Sequence, residues 1–229
     1  MCGRYTITIN TDELSDRFGC IVITKSEGPR YNVAPQQMAP VIIRNQDRNE
    51  LQLMKWGLVP FWSKDSSIGS RMINARWETL HEKPAFKQLL RRRRCLVPAD
   101  GYYEWEKIGR QKSPYRIILP SHGVFGLAGL WDEWRDTEGE KLTTFTIITT
   151  DAAPSVSQLH DRMPFIIREE QEREWLSDTP NLAGQGIAEW LSRFKPTTAM
   201  DVYPVSTLVN SVTNDNPQCI LNREPNPAG

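Results

Sequence analysis

Short apolar runs of strand length, broken by polar clusters, dominate the chain. APVIIRN and ELQLMKW flank the turn-like QDRN and predict a β-hairpin. RCLVPA, GYYEWEK, PYRIIL, VFGLAGLW and LTTFTIITT follow, separated by Gly, Pro, Asp and Ser clusters, and each reads as a strand. Residues 11–19 (TDELSDRFG) predict a short helix. Thr11 suits its cap, Asp12 and Glu13 its first turn, Leu14 and Phe18 share a face, and Gly19 ends it. Helical patterns recur at PAFKQLLRRR, with Pro84 at a first helical position, at REEQEREWL and at NLAGQGIAEWLSRF. Strands run together and helices are peripheral, unlike the alternation that builds a parallel sheet. The expected fold is α+β, a single domain with a largely antiparallel, barrel-like β-sheet and peripheral short helices. The domain is expected over residues 1–222, with a disordered tail over 223–229.

Composition leaves this picture in place and narrows the function. The chain has 229 residues, 39% of them hydrophobic and 24% charged, which is ordinary globular usage and enough to bury a core. The formal net charge is zero, so any nucleic-acid surface has to be a local patch. The four cysteines, Cys2, Cys20, Cys95 and Cys219, form no C-x-x-C pair and have no His at metal-ligand spacing. Neither a metal nor another cofactor is expected. No apolar run approaches about 18 residues and the N-terminus lacks the apolar core of a secretory signal. The expectation is a soluble cytoplasmic monomer with reduced thiols, at the nucleoid or replication fork if bacterial.

Several positions offer chemistry. Once Met1 is removed, Cys2 carries a free α-amine and a thiol. A 1,2-aminothiol condenses with an aldehyde to an imine and then closes a thiazolidine. The reference pKa values, about 7.7–8.0 for the amine and about 8.5 for the thiol, leave both nucleophiles available near neutrality. The alternative is an ordinary small N-terminal residue. Asn74 lies amid apolar neighbours, and Arg76, two residues on, shares its face if the run is extended. Either pair also fits a loop. Glu104 stands in an aromatic-rich strand, where partial desolvation suits proton transfer; a solvent-facing carboxylate is the alternative. His160 precedes a predicted strand (MPFII) and follows a predicted short helix (PSVSQL). It is the natural acid–base near neutral pH, or a structural residue beside an Asp161–Arg162 pair. Arg91–Arg94 is the one dense basic run, fit for phosphates or for a helix C-terminus. Trp56, Phe61 and Trp62 are either core aromatics or a stacking platform. His81 and His122 read as surface residues.

Together and in order, Met1–Tyr5 (MCGRY), Tyr31–Pro35 (YNVAP), Lys55–Pro60 (KWGLVP), Ile73–Arg76 (INAR), Pro98–Trp105 (PADGYYEW) and His160–Pro164 (HDRMP) resemble the SRAP family, the SOS response-associated peptidases or abasic-site processing proteins. The resemblance runs from residue 2 to about 211 and departs at no key position. It implies covalent capture of abasic sites in single-stranded DNA as a thiazolidine on Cys2, with AP-lyase activity from the imine and autoproteolytic removal of Met1. By motif, Cys2 is the nucleophile, Asn74 orients the amine and the sugar, Glu104 transfers protons, and His160 helps open the sugar ring and reverse the crosslink. Arg4, Arg76 and Arg162 match positions lining the DNA channel; Asn32, Pro35, Trp62 and Trp105 match positions shaping or wedging the strand. The partner is then single-stranded DNA, with no metal and no membrane. Two other classes stay open: a cysteine peptidase acting on proteins through Cys2, His160 and Asn74, and a non-covalent single-strand binding module.

Overall fold

A computed structural model describes residues 2–109, 111–177 and 186–223. In chain order it contains β1 (Tyr5–Ile7), α1 (Thr11–Phe18), β2 (Cys20–Val22), β3 (Arg30–Val33), β4 (Met38–Asn45), β5 (Arg48–Trp56) and β6 (Asn74–Arg76). Then come α2 (Pro84–Lys87), α3 (Leu89–Arg92), β7 (Arg94–Ala99), β8 (Gly101–Ile108), β9 (Gln111–Ile118), β10 (Phe125–Arg135) and β11 (Lys141–Asp151). Last are β12 (Arg162–Pro164), β13 (Ile166–Ile167), α4 (Glu169–Leu176), α5 (Gly186–Ser192) and β14 (Asp201–Pro204). Met1, the start of the last predicted helix (181–185) and positions 224–229 of the expected tail lie outside the described residues.

The predicted hairpin forms as β4 and β5, paired from Met38↔Lys55 to Asn45↔Arg48. Its turn is two residues shorter than QDRN. Arg48 and Asn49 are drawn into the strand because their side chains bond to Glu50 and Arg44. The first helix starts one residue early. Asn10 caps it, accepting from the Asp12 and Glu13 backbone N–H groups, and the Glu13 carboxylate returns a bond to the Asn10 N–H. Thr11 is inside the helix and buried. Residues 154–159 form turns, not the expected short helix, and the PAFKQLLRRR pattern divides into α2 and α3.

The strands β11, β10, β7, β4 and β5 pair in that order, and β5 returns to β11. The fold is therefore α+β, a closed five-stranded barrel with short helices outside it. Every seam is antiparallel except the closing one, where Lys55 and Trp56 run parallel to Thr144 and Phe145. Closure leaves no edge within the barrel to aggregate. Trp56 and Phe145 stack at that seam, ring centres 6.3 Å apart, and Tyr5 packs on Trp56 at 5.3 Å. β6 lies parallel to β11, with Asn74 opposite Ile147. A second sheet, ordered β14-β9-β8-β1-β3, is laid against the barrel.

β1 is short, so something besides its ladder must hold it. Asp100, between β7 and β8, does so. Its carboxylate accepts from the Thr6 and Thr8 hydroxyls, from the Thr8 N–H at 2.9 Å and from the Arg116 guanidinium at 3.1 Å. A Cβ at Gly101 would stand 2.6 Å from Arg116 Nε, so only glycine there lets Arg116 reach Asp100.

Trp56 is fully buried and Trp62, six positions on, is 55% exposed. Trp56→Ala is expected to lower unfolding free energy by about 3–5 kcal/mol, and Trp62→Ala by no more than about 0.5 kcal/mol. Urea denaturation measures both; equal losses would contradict the placement.

Candidate active site

Cys2 precedes β1 and has no exposed surface. Burial, then the nearby Glu104 carboxylate, hold its thiol far above its ordinary value, against the pull of the Arg4 backbone N–H. Asn74 on β6 donates its amide to the Cys2 carbonyl at 2.9 Å. The amide's other end, Oδ1, is buried and accepts no hydrogen bond among the described residues. An unpaired buried acceptor is costly, so it marks a place where a donor is expected.

Glu104 on β8 is 5% exposed. Burial raises its carboxyl to about 7, with the Asp161 charge adding to the rise. His160 is half-buried. Its Nδ1 accepts from the Arg162 backbone N–H at 2.9 Å and stands 2.7 Å from Asp161 Oδ1. The two contacts disagree, since the first needs a lone pair on Nδ1 and the second a proton. Burial pushes the imidazole below its ordinary value and Lys107 adds to that, while Asp161 opposes it. The neutral ring with its proton on Nε2 fits the backbone bond, and Asp161 is largely in solvent.

Glu104 and His160 face a common cavity of about 600 Å³, lined also by Arg4, Trp105, Lys107, Lys112 and Asn210. Arg4 stacks over the Trp105 ring at 5.9 Å and donates to the carbonyls of Val209 and Asn210. Trp105 Nε1 donates to the Asn210 side chain at 2.7 Å. Cys2 and Asn74 do not themselves line the cavity; they adjoin it through the Asn74 bond to Cys2 and the charge of Glu104 on the thiol. Among the described residues no group of three or more His, Cys, Asp or Glu side chains is placed to hold a metal ion.

The family described as SOS response associated peptidase (SRAP) matches residues 1–212. The chain belongs to the SRAP family. Abasic site processing protein YoqW of Bacillus subtilis (strain 168) is 42% identical over 224 residues, covering 96% of this chain and 99% of that protein. Abasic site processing protein HMCES of Gallus gallus is 36% identical over 225 residues, covering 84% of this chain and 66% of that one. A crystal structure of a protein from Bacteroides thetaiotaomicron aligns with TM-score 0.81 and 30% identity, over 97% of this chain and 100% of that one.

The SRAP motif residues expected to touch a strand divide three ways. Arg4 and Trp105 line the cavity. Arg76 shares the face of Asn74 on β6 and is exposed, as is Trp62, while Pro35 is half-buried in the turn after β3; none of the three lines the cavity. Asn32 and Arg162 are internal braces in this structure. Asn32 has no exposed surface, and its amide donates to the carbonyls of Val209, Ser211 and Asn214 and accepts from Arg4. It fastens the 207–215 segment that carries Asn210. Arg162 is 8% exposed and spends its guanidinium on Glu78, Asp151 and the Thr149 carbonyl. The Arg91–Arg94 run follows its helix-end reading: Arg94 is buried against Trp190 and donates to the carbonyls of Leu90 and Trp175. Of the SRAP chain's other histidines, His122 is exposed and His81 half-buried. Cys20, Cys95 and Cys219 are buried free thiols. No helix among the described residues is long and apolar enough to cross a membrane.

Sequence reading missed Lys107, Lys112 and Asn210. The lysines carried a signal, since residues either side of a glycine-containing turn face each other across a hairpin. Asn210 carried none.

Glu104 has a folded pKa of about 7, above its unfolded value of about 4.3. Its stabilising contribution is complete below about pH 4 and is lost as pH rises through about 7. Glu104→Gln removes that loss, so the variant is expected to gain stability relative to the parent from about pH 5 to about pH 8. Chemical denaturation across that range measures the difference; one independent of pH would contradict the buried assignment.

Proposed function

We propose that the protein captures abasic sites in single-stranded DNA through Cys2, after Met1 is removed, as a covalent thiazolidine. The meeting of buried Cys2 with Asn74 and Glu104, and of Glu104 with His160 on one cavity, supports this reading best. The relatives named abasic site processing proteins support abasic DNA as the substrate.

An abasic sugar is mostly a closed hemiacetal, so its aldehyde must first be exposed. Neutral His160, facing the cavity, moves the proton that opens the ring. The Cys2 amine adds to the aldehyde carbon, with Asn74 Oδ1 as acceptor for the amine hydrogens. Glu104, near half-protonated at neutral pH, gives its proton to the departing hydroxyl; water leaves and an iminium remains. The Glu104 carboxylate then takes the thiol proton and sulfur closes on the iminium carbon. The ring forms, one water is released and Glu104 is again protonated. Because the resting thiol is buried and strongly protonated, it attacks only when Glu104 has become a base. The same observation disfavours a peptidase acting on external proteins, whose nucleophile must be reachable and readily ionised. The peptidase chemistry proposed here is hydrolysis of the Met1–Cys2 bond. The iminium also acidifies the neighbouring sugar carbon, so strand cleavage by β-elimination competes with ring closure.

Arg4 and Arg76 hold phosphates and Trp62 and Trp105 stack on bases beside Pro35, with Asn32 and Arg162 positioning the walls. Binding without base readout weakens with salt.

On a denaturing gel, Met1-free protein mixed with abasic single-stranded DNA is expected to give a shifted band without borohydride. Cys2→Ala, or an undamaged oligonucleotide, should give none. A band of equal yield with Cys2→Ala would overturn the assignment of the nucleophile.

A further inference from the structure

We propose that Lys107 and Lys112 form a phosphate subsite on the rim of this cavity, taking the phosphodiester next to the captured sugar. The subsite presupposes that the cavity takes single-stranded DNA, as proposed above.

Lys107 on β8 and Lys112 on β9 are partners in the hairpin register. Residues directly opposite on antiparallel strands have Cβ atoms about 4.5–5.5 Å apart, and like charges so placed destabilise a sheet. Both lysines are exposed, and neither ion-pairs with a carboxylate among the described residues. The nearest acidic residue in sequence, Glu106, alternates to the other face and accepts from the Tyr115 hydroxyl at 3.0 Å. A repulsive pair left uncompensated beside a cavity is compensated when an anion binds.

The location says which anion. Both lysines line the same cavity as Arg4, Glu104 and His160. Lys107 is close enough to His160 for its charge to disfavour the imidazolium. In a chain of zero net charge, this cavity holds three cations, Arg4, Lys107 and Lys112, against the one carboxyl of Glu104. Arg4 spends part of its guanidinium on backbone carbonyls and stacks on Trp105, so it has fewer donors left for phosphate than the lysine ammonium groups. With the sugar held by Cys2 and Glu104 as proposed above, a strand leaving the site passes its next phosphate over the lysines that line the same cavity as Glu104.

The test uses undamaged and abasic single-stranded oligonucleotides with the parent protein and the Lys107→Gln/Lys112→Gln variant. Both sites are exposed and the change removes their mutual repulsion, so the melting temperature is expected to be unchanged or slightly raised. With undamaged DNA, the slope of log affinity against log salt is expected to fall in magnitude by about 0.7, the value for one phosphate contact on a single strand. Cys2→Ala in either background should leave this difference intact, separating binding from capture chemistry. With abasic DNA, one phosphodiester at a time is replaced by a neutral methylphosphonate. One position flanking the abasic residue is expected to weaken the parent severalfold and leave the double variant unaffected. Equal slopes, or a scan in which every position affects both proteins alike, overturns the subsite and leaves covalent capture standing. A parent that binds no single-stranded DNA overturns both.

Discussion

The rest of the site depends on the Asp100–Arg116 pair beneath β1. Both side chains are under a tenth exposed, and the carboxylate also takes the Thr6 and Thr8 hydroxyls and the Thr8 N–H. Breaking a buried pair by removing one partner costs about 3–5 kcal/mol, because the other charge is then stranded. A strand of three residues cannot hold itself by its ladder alone. Fixed from below, it carries Cys2 and Arg4 at its head, so the buried thiol and a wall of the cavity share one support.

Burial of Cys2 and Glu104 turns that position into chemistry. Burial acts on the thiol and the carboxyl in the same direction, favouring the protonated form of each. On the imidazole it acts the other way and favours the neutral ring. Cys2, Glu104 and His160 therefore rest as two proton donors, the second near half-protonated at neutral pH, and one proton acceptor. In water, Glu104 would be fully ionised at neutral pH and could not protonate a leaving hydroxyl. The cost is a carboxyl that opposes folding as pH rises, which the core strands of the barrel have to carry.

The strands and most helices could be read from local pattern, because alternation and turn residues act within a few positions. The barrel-like sheet was legible from the run of strands, but the way it closes was not. Its closing seam joins Trp56 to Phe145 in parallel, and no local signal marks a pairing that distant. Of the candidates that the motifs name, Cys2 meets Asn74 and Glu104, and Glu104 shares a cavity with His160. The site was less legible where a polar residue's role depends on who meets it. Asn32 matches a position that shapes the strand, and its partners at Val209, Ser211 and Asn214 are 177 to 182 residues away. Arg162 looks like a phosphate ligand and meets Glu78, 84 positions earlier. Trp56 and Trp62 lie six positions apart, yet the first is fully buried and the second is exposed.

The most direct test of the central claim is the intact mass of the product formed by Met1-free protein and abasic single-stranded DNA, with and without borohydride. A thiazolidine needs both the Cys2 amine and its thiol, expels one water and leaves no imine. The account predicts a mass of protein plus oligonucleotide less one water, unchanged by borohydride, and no adduct when the α-amine is acetylated. An adduct that forms on the acetylated protein, or a principal product that borohydride reduces, would contradict it.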